Sequence, residues 1–494
     1  MDRLSPLDAS FLHIEDGNPS SQMHIGSVCL FEGPPPDHRA MADRIEARLA
    51  LVPRYRQVVL PVPGGLGRPV WADFPDFSID YHVRRTALPA PGDDETLRRL
   101  TERVMSQRLD RTKPLWEIWV VEGLPGDRWA FITKVHHAMV DGVSGAEILA
   151  ILLELSPEME EVDAGEFAPG PLPTPVELVA DALRTLTTSS YEQARVATRA
   201  FRRREAIIDQ AREVLAGLRS LSGVVQPAES WSLVGPISAH RSWTWASSSL
   251  EDIKTIRAEF GGSVNDVVLA AITAGFRDLL LSRGEAVEDH AIRTLVPVSV
   301  RSTRDDGAAA SDGTLDNKVS AMFAELPVGL ADPLQRLDAI RTQMGDLKES
   351  KQAVAAEALT SMSGFAPPAL LALGTRLAAR FGGASTNLHT VTTNVPGPQF
   401  PLYSMGRRMT DIRPYVPLSA PLRTGVAIFS YDQKVTFGIT GDRDSTDDID
   451  VLASGIEQGL DDLLALAGEA RAPKAPTKKA AARRRAPVRR AAAG

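Results

Sequence analysis

Cysteine is nearly absent: Cys29 stands alone among 494 residues. One cysteine cannot close an intramolecular disulfide or form a CxxC site, so a disulfide-stapled scaffold is excluded and a reducing compartment is expected. No apolar run approaches the ~18–20 residues that span a bilayer, and Met1 to Asp16 holds no apolar stretch of signal-peptide length. A cytoplasmic protein is the expectation. Aromatics make up only 6%, and the basic C-terminal segment has none to interleave with its charges. No specific nucleic-acid partner is therefore expected. What is present is an ordinary globular composition, 43% hydrophobic and 24% charged, which excludes a wholly disordered chain. At ~100–200 residues per domain the length implies two or three domains.

Charge is unevenly spread. Nine of the 55 Lys and Arg residues, and none of the 63 acids, lie in 471–494, leaving 46 bases against 63 acids in the body. An acidic body and a basic Ala/Pro/Lys/Arg tail are two different objects, and the tail at 468–494 reads as disordered.

Periodicity organises the rest into an α/β (α+β) chain. Residues 1–155 read as a first lobe, with strands at Met23–Phe31, Trp116–Val121 and Trp129–Val135 and helices at Met41–Leu51, Thr96–Leu109 and Val143–Leu155. Residues 156–240 read as a Pro/Glu-rich linker followed by a helical connector. Residues 241–467 form a second lobe, with helices at Val264–Leu281, Asp332–Glu349 and Asp447–Ala467. Its strands fall at Ala291–Val300, Leu388–Val395, Gly425–Tyr431 and Val435–Gly441. Two stretches suit a lipid surface as well as a protein interior. Asp181–Ser220 sets eight arginines and recurring apolar residues against five acids, and Pro368–Phe381 is short, apolar and basic.

The chemistry concentrates at Lys134 to Gly142, KVHHAMVDG. A strand ends in two adjacent histidines, and an Asp-Gly turn opens a helix. Neighbouring strand residues point to opposite faces, so His136 and His137 serve one pocket only if the chain turns there. Histidine suits a base working near neutral pH. Asp141 suits a buried ion pair that orients the loop, and Gly142 suits close backbone approach or positive φ. A metal is not expected: His137 and Asp141 are four apart, but no further ligand has matching spacing.

The whole motif, HHxxxDG, resembles the active-site signature of the CoA-dependent acyltransferase superfamily. That superfamily includes chloramphenicol acetyltransferase, peptide-synthetase condensation domains and bacterial wax ester synthase/diacylglycerol acyltransferases. Further stretches resemble the last of these, in its actinobacterial form and in the same order: Leu4–Glu15 (LSPLDASFLHIE), Met23–Gly26, Pro114-Leu115-Trp116 with Glu122-Gly123, Ser263–Leu269 (SVNDVVL), Pro297–Arg301 (PVSVR) and Thr393–Pro398 (TNVPGP). The DFGWG motif of plant alcohol acyltransferases is absent.

The resemblance implies two chloramphenicol-acetyltransferase-like lobes with mixed sheets and an active-site tunnel between them. It makes His137 the general base, His136 a supporting residue, Asp141 an orienting residue and Gly142 part of the turn. Asn265 and Asn394 are candidates for oxyanion donors or for structural roles, Asn265 capping a helix and Asn394 holding the turn before Pro396. Glu15 reads as a surface carboxylate, with a pocket position as the alternative. Trp116 reads as core.

The implied reaction moves a long-chain acyl group from acyl-CoA, a cosubstrate rather than a bound cofactor, to diacylglycerol, with long-chain alcohols as a second acceptor. Peripheral contact with the inner membrane face or lipid inclusions is expected, because both substrates partition into membranes. The competing expectations are a condensation-type acyltransferase using a carrier-bound acyl group, and a non-catalytic lipid-inclusion binding protein.

Overall fold

The computed structural model describes residues 1–140, 147–159, 162, 167–185, 231–299, 319–349, 372–373, 375–376 and 388–471. Asp141, Gly142, residues 472–494 of the basic tail and most of the two segments suited to lipid lie outside them; residues 468–471, expected to begin the disordered tail, instead continue the last helix to Arg471. The first half carries β1 (Asp2–Arg3), α1 (Pro6–Gly17), β2 (His24–Glu32), α2 (His38–Arg48), β3 (Gln57–Leu60), β4 (Val70–Asp73), α3 (Ile79–His82), β5 (Val83–Ala87), α4 (Asp94–Met105), β6 (Trp116–Leu124), β7 (Arg128–His136) and α5 (Glu147–Leu152). The second half begins with β8 (Arg241–Ser249), α6 (Leu250–Phe260), α7 (Val264–Ser282), β9 (Ile292–Ser299), β10 (Val319–Leu326) and α8 (Pro333–Glu349). It ends with β11 (Thr390–Pro396), β12 (Tyr403–Ser404), β13 (Arg407–Tyr415), β14 (Thr424–Tyr431), β15 (Lys434–Asp442) and α9 (Ile449–Arg471).

Two six-stranded mixed sheets result, ordered β12-β13-β2-β7-β6-β5 and β10-β9-β11-β14-β15-β8, beside a small sheet β1-β4-β3. The first is covered on both faces, which is why β7 reads as a nearly unbroken apolar run. Alternation sends Trp129, Phe131 and Val135 into one cluster and Ala130 and Ile132 into another. The second of these clusters is roofed by α4, whose Leu97, Leu100 and Val104 recur at helical spacing. Asp93 caps α4 by accepting from Thr96 N–H at 2.9 Å, a contact worth about 1 kcal/mol. Trp116 is indeed core. It is fully buried, stacks on His82 at 4.4 Å and donates its indole N–H to Tyr55 O at 2.8 Å.

The second sheet packs one face on α6, α7, α8 and α9. Helix α7 is buried nearly all round, and its start is set by a reciprocal capping box between Ser263 and Asp266. Asn265 therefore does not cap this helix, contrary to the expectation; Ser263 does.

The expected second lobe also needs amending. Strands β12 and β13 leave it and complete the first sheet, β13 running antiparallel to β2 with Arg413 opposite Val28. The sequence RRMTDIRPY hides this strand behind its charges, which the fold neutralises locally: Asp411 holds Arg413 and Lys434, each at 3.0 Å, and the Arg413 guanidinium lies 3.8 Å from the Trp245 ring. Where β13 crosses β15, Pro414 O sits over Gly438. A Cβ there would lie 1.7 Å from that oxygen, so glycine is obligatory. Further ties join the halves, among them Trp243 N–H to Glu102 at 3.0 Å and Arg98 to Asp450 at 3.0 Å.

Candidate active site

Strand β7 delivers the two histidines, and the chain turns at once. His136 N–H donates to Leu115 O at 2.9 Å, His137 N–H donates to Met23 O at 2.8 Å, and a 3-10 turn spans His137–Met139. The turn separates the two rings. His136 is buried; its Nδ1 accepts from Ala138 N–H at 3.0 Å and so caps the turn. Its other ring nitrogen, Nε2, faces Glu15 Oε1 at 3.4 Å.

Glu15 is only 4% exposed, not the surface carboxylate that local pattern suggests. It lies on the inner face of α1 with Asp8, Ala9 and Leu12, a spacing that places all four on one side. Ser5 caps this helix, accepting from Asp8 N–H at 3.1 Å, and Pro6 occupies the first turn, where its missing N–H costs nothing. The Glu15 carboxylate accepts from Met23 N–H at 2.7 Å and from Arg111 at 2.9 Å, with Arg108 at 3.3 Å. Burial alone would raise its pKa. His136, the Met23 N–H and Arg111 outweigh burial and hold it well below the usual carboxylate range.

His137 is half-buried, and its ring stacks on Phe11 of α1 with centroids 4.1 Å apart and planes 25° apart. Burial pushes its pKa down to about 4, outweighing a hydrogen bond to its own backbone that acts in the opposite direction. At neutral pH the imidazole is uncharged, the state a general base requires. The turn also borders a cavity of about 400 Å³, lined by Met139 with Asp2, Leu51, Val52, Pro53, Arg54 and Gln57.

Behind the histidines lies a buried polar layer that sequence reading missed. The His24 ring contacts Met105 O at 2.6 Å, and Lys134 donates to Val104 O at 2.9 Å and to Gln107 O. Both side chains satisfy carbonyls at the end of α4. Desolvation lowers the Lys134 pKa to about 8 and drives that of His24 well below its ordinary value. A lysine inside an apolar strand was the available signal.

Asn394, on β11, donates through Nδ2 to Asn265 Oδ1 at 3.1 Å, tying the end of that strand to the first turn of α7. The structure thus brings the two asparagines to each other. Among the described residues no three His, Cys, Asp or Glu side chains converge as a metal would require.

Comparison with known proteins places this geometry. Residues 4–268 match the family model described as the wax ester synthase/diacylglycerol acyltransferase catalytic domain, and residues 315–464 match the WS/DGAT C-terminal domain. A Mycobacterium tuberculosis protein named probable diacylglycerol O-acyltransferase tgs1 is 36% identical over 475 residues, covering 94% of this chain and 96% of its own. The tgs2 protein of the same organism is 32% identical, covering 94% and 99%. Among solved structures, a wax ester synthase/diacylglycerol acyltransferase from Marinobacter aquaeolei VT8 has a TM-score of 0.66 at 24% identity, covering 95% of this chain and 100% of that one. The first condensation domain of the calcium-dependent antibiotic synthetase shares the fold more distantly, with a TM-score of 0.58 at 16% identity over 95% of this chain and 97% of that one.

Proposed function

The chain belongs to the wax ester synthase/diacylglycerol acyltransferase family, and from that premise we propose how its residues perform acyl transfer. The enzyme is an O-acyltransferase that esterifies diacylglycerol to triacylglycerol, with long-chain alcohols as a second acceptor giving wax esters. The acyl donor is long-chain acyl-CoA.

The observation that carries the mechanism is the half-buried His137 ring, stacked on Phe11, on a turn whose backbone is pinned to Met23 O. His137 takes the proton of the acceptor hydroxyl as that oxygen attacks the thioester carbonyl. A carbon–oxygen bond forms, the tetrahedral oxyanion collapses, and the carbon–sulfur bond breaks. The proton then passes from His137 to the departing CoA thiolate. No acyl-enzyme is required, because the base acts on the acceptor directly. Such assistance is worth about 10²–10⁴ in rate. His136 and Glu15 stand behind the turn and hold its shape; neither moves a proton in this scheme.

The body sits at a lipid surface in this reading, since both substrates partition into bilayers. No described helix is long and apolar enough to cross a membrane, which suits attachment from one side. Flotation with anionic and neutral vesicles measures that attachment directly.

The reaction is tested by release of CoA thiol from palmitoyl-CoA, with diolein, with hexadecanol and without acceptor, for wild type and His137→Ala. Acceptor-dependent release that falls at least about a hundredfold in the variant is the expected result. No release with either acceptor from folded protein in mixed micelles overturns the acyl-CoA reading, and a carrier-protein thioester is then the donor to try.

A further inference from the structure

Helix α1 meets the catalytic turn twice from one face. Phe11 lies against the His137 ring at 4.1 Å, and Glu15, four residues on, faces His136 at 3.4 Å. Residues at i and i+4 stand one above the other on a helix, so a single rigid element contacts both histidines. The helix is itself secured at both ends. Ser5 and Pro6 fix its start. At its end Asp16 pairs with Arg111 at 2.7 Å and Arg376 at 2.9 Å, while Arg111 also donates to Leu12 O at 2.9 Å.

No hydrogen bond from a described side chain explains the orientation of His137. His136 is held at one ring nitrogen, where Nδ1 accepts from Ala138 N–H, and its Nε2 lies 3.4 Å from Glu15 Oε1. No described side chain hydrogen-bonds His137 Nδ1, although that atom is buried. What touches the ring is the aromatic face of Phe11. A near-parallel ring covers the imidazole face and leaves its edge free, and the lone pair that accepts a proton lies in the plane of the ring. Stacking therefore restrains and dries a histidine base without obstructing proton transfer.

We propose that Phe11 is a positioning residue for acyl transfer, fixing the plane of His137 and keeping water from the face of its ring, so that an acceptor hydroxyl and not water reaches the base. This rests on His137 being the general base. Loss of the ring then has two consequences that loss of fold alone does not produce. The base takes up several orientations, which lowers kcat without weakening substrate binding. Water also gains access, and its attack on the thioester releases CoA and free fatty acid in place of ester.

The test compares Phe11→Leu, Phe11→Ala and Phe11→Tyr with wild type, measuring CoA thiol and ester product from palmitoyl-CoA and diolein across pH, with circular dichroism as the check on folding. Phe11→Leu keeps apolar volume but has no ring to stack, so it remains informative if the alanine variant unfolds. The expected result for Phe11→Leu is a kcat lower by about tenfold, a KM for palmitoyl-CoA within about twofold of wild type, and thiol released in excess of ester. The acid limb of its kcat/KM profile moves upward from the wild-type position, and Phe11→Tyr restores all of these. Wild-type kcat, acid limb and thiol-to-ester ratio in folded Phe11→Leu overturn the proposal. If His137→Ala is inactive at the same time, only the role of Phe11 falls. If His137→Ala is fully active, it is the base assignment that falls.

Discussion

Replacing Glu15 by Gln keeps the shape of the side chain and removes its charge, which makes it a sharp probe of the layer behind the histidines. The carboxylate now accepts from Met23 N–H at 2.7 Å and from Arg111 at 2.9 Å. An amide has one oxygen. If that oxygen stays on Met23 N–H, the new NH₂ faces the Arg111 guanidinium, donor against donor; if it flips, Met23 N–H is orphaned. One buried donor goes unsatisfied either way, costing about 1–3 kcal/mol. The arginines lose less, because the side chains of Arg108 and Arg111 are 42% and 33% exposed and Arg111 retains Asp16. Solvent and that second carboxylate therefore hold the total below the ~3–5 kcal/mol of breaking a fully buried pair. The net expectation is a loss of about 2–3 kcal/mol, read by urea unfolding at pH 7.5 with circular dichroism. Asp16→Asn, at the half-exposed end of the same helix, is the control and should cost under about 1 kcal/mol. A Glu15→Gln protein within about 0.5 kcal/mol of wild type would refute the reasoning, since the carboxylate could not then be holding buried donors.

Acid should weaken the fold before it protonates the structural carboxylates. Burial lowers His82 and His389 to about 4, so between pH 6.5 and 4 the unfolded chain binds protons that the folded one refuses, and stability present above pH 6.5 is lost as pH falls. At pH 5 each contributes a loss of about 2 kcal/mol; urea midpoints that match at pH 7.5 and 5.0 would contradict this. Gly438→Ala forces β13 and β15 apart, because its Cβ would sit 1.7 Å from Pro414 O. A loss of about 3 kcal/mol is expected, and an unchanged melting temperature would show that the crossing is looser than described. Asn265→Ala and Asn394→Ala should each cost about 1 kcal/mol and the double variant no more than one of them, because a single hydrogen bond is being removed. Strictly additive costs would mean that each asparagine has a different partner.

Local pattern placed much of this molecule. The helix at Val264–Leu281 is observed at Val264–Ser282, the strand at Trp129–Val135 at Arg128–His136, and the last helix at Asp447–Ala467 at Ile449–Arg471. Each is long or strongly apolar, so period and propensity agree with the environment. Strand β13 was illegible for the opposite reason. Its charges argue against a buried strand until Asp411, Arg413, Lys434 and Trp245 are brought together.

The site divides in the same way. Residue order alone identifies the HHxxxDG motif, the strand that ends at the histidines and the family, because these are written in contiguous residues whose chemistry and spacing survive without the fold. The environment of the histidines is not written there. Glu15 looks like any helix-surface acid and Phe11 like any core aromatic until α1 docks on a turn more than a hundred residues away. Burial of a charge or a ring is a property of what surrounds it, so only the tertiary structure decides that Glu15 is held ionised against His136 and that His137 is stacked and neutral.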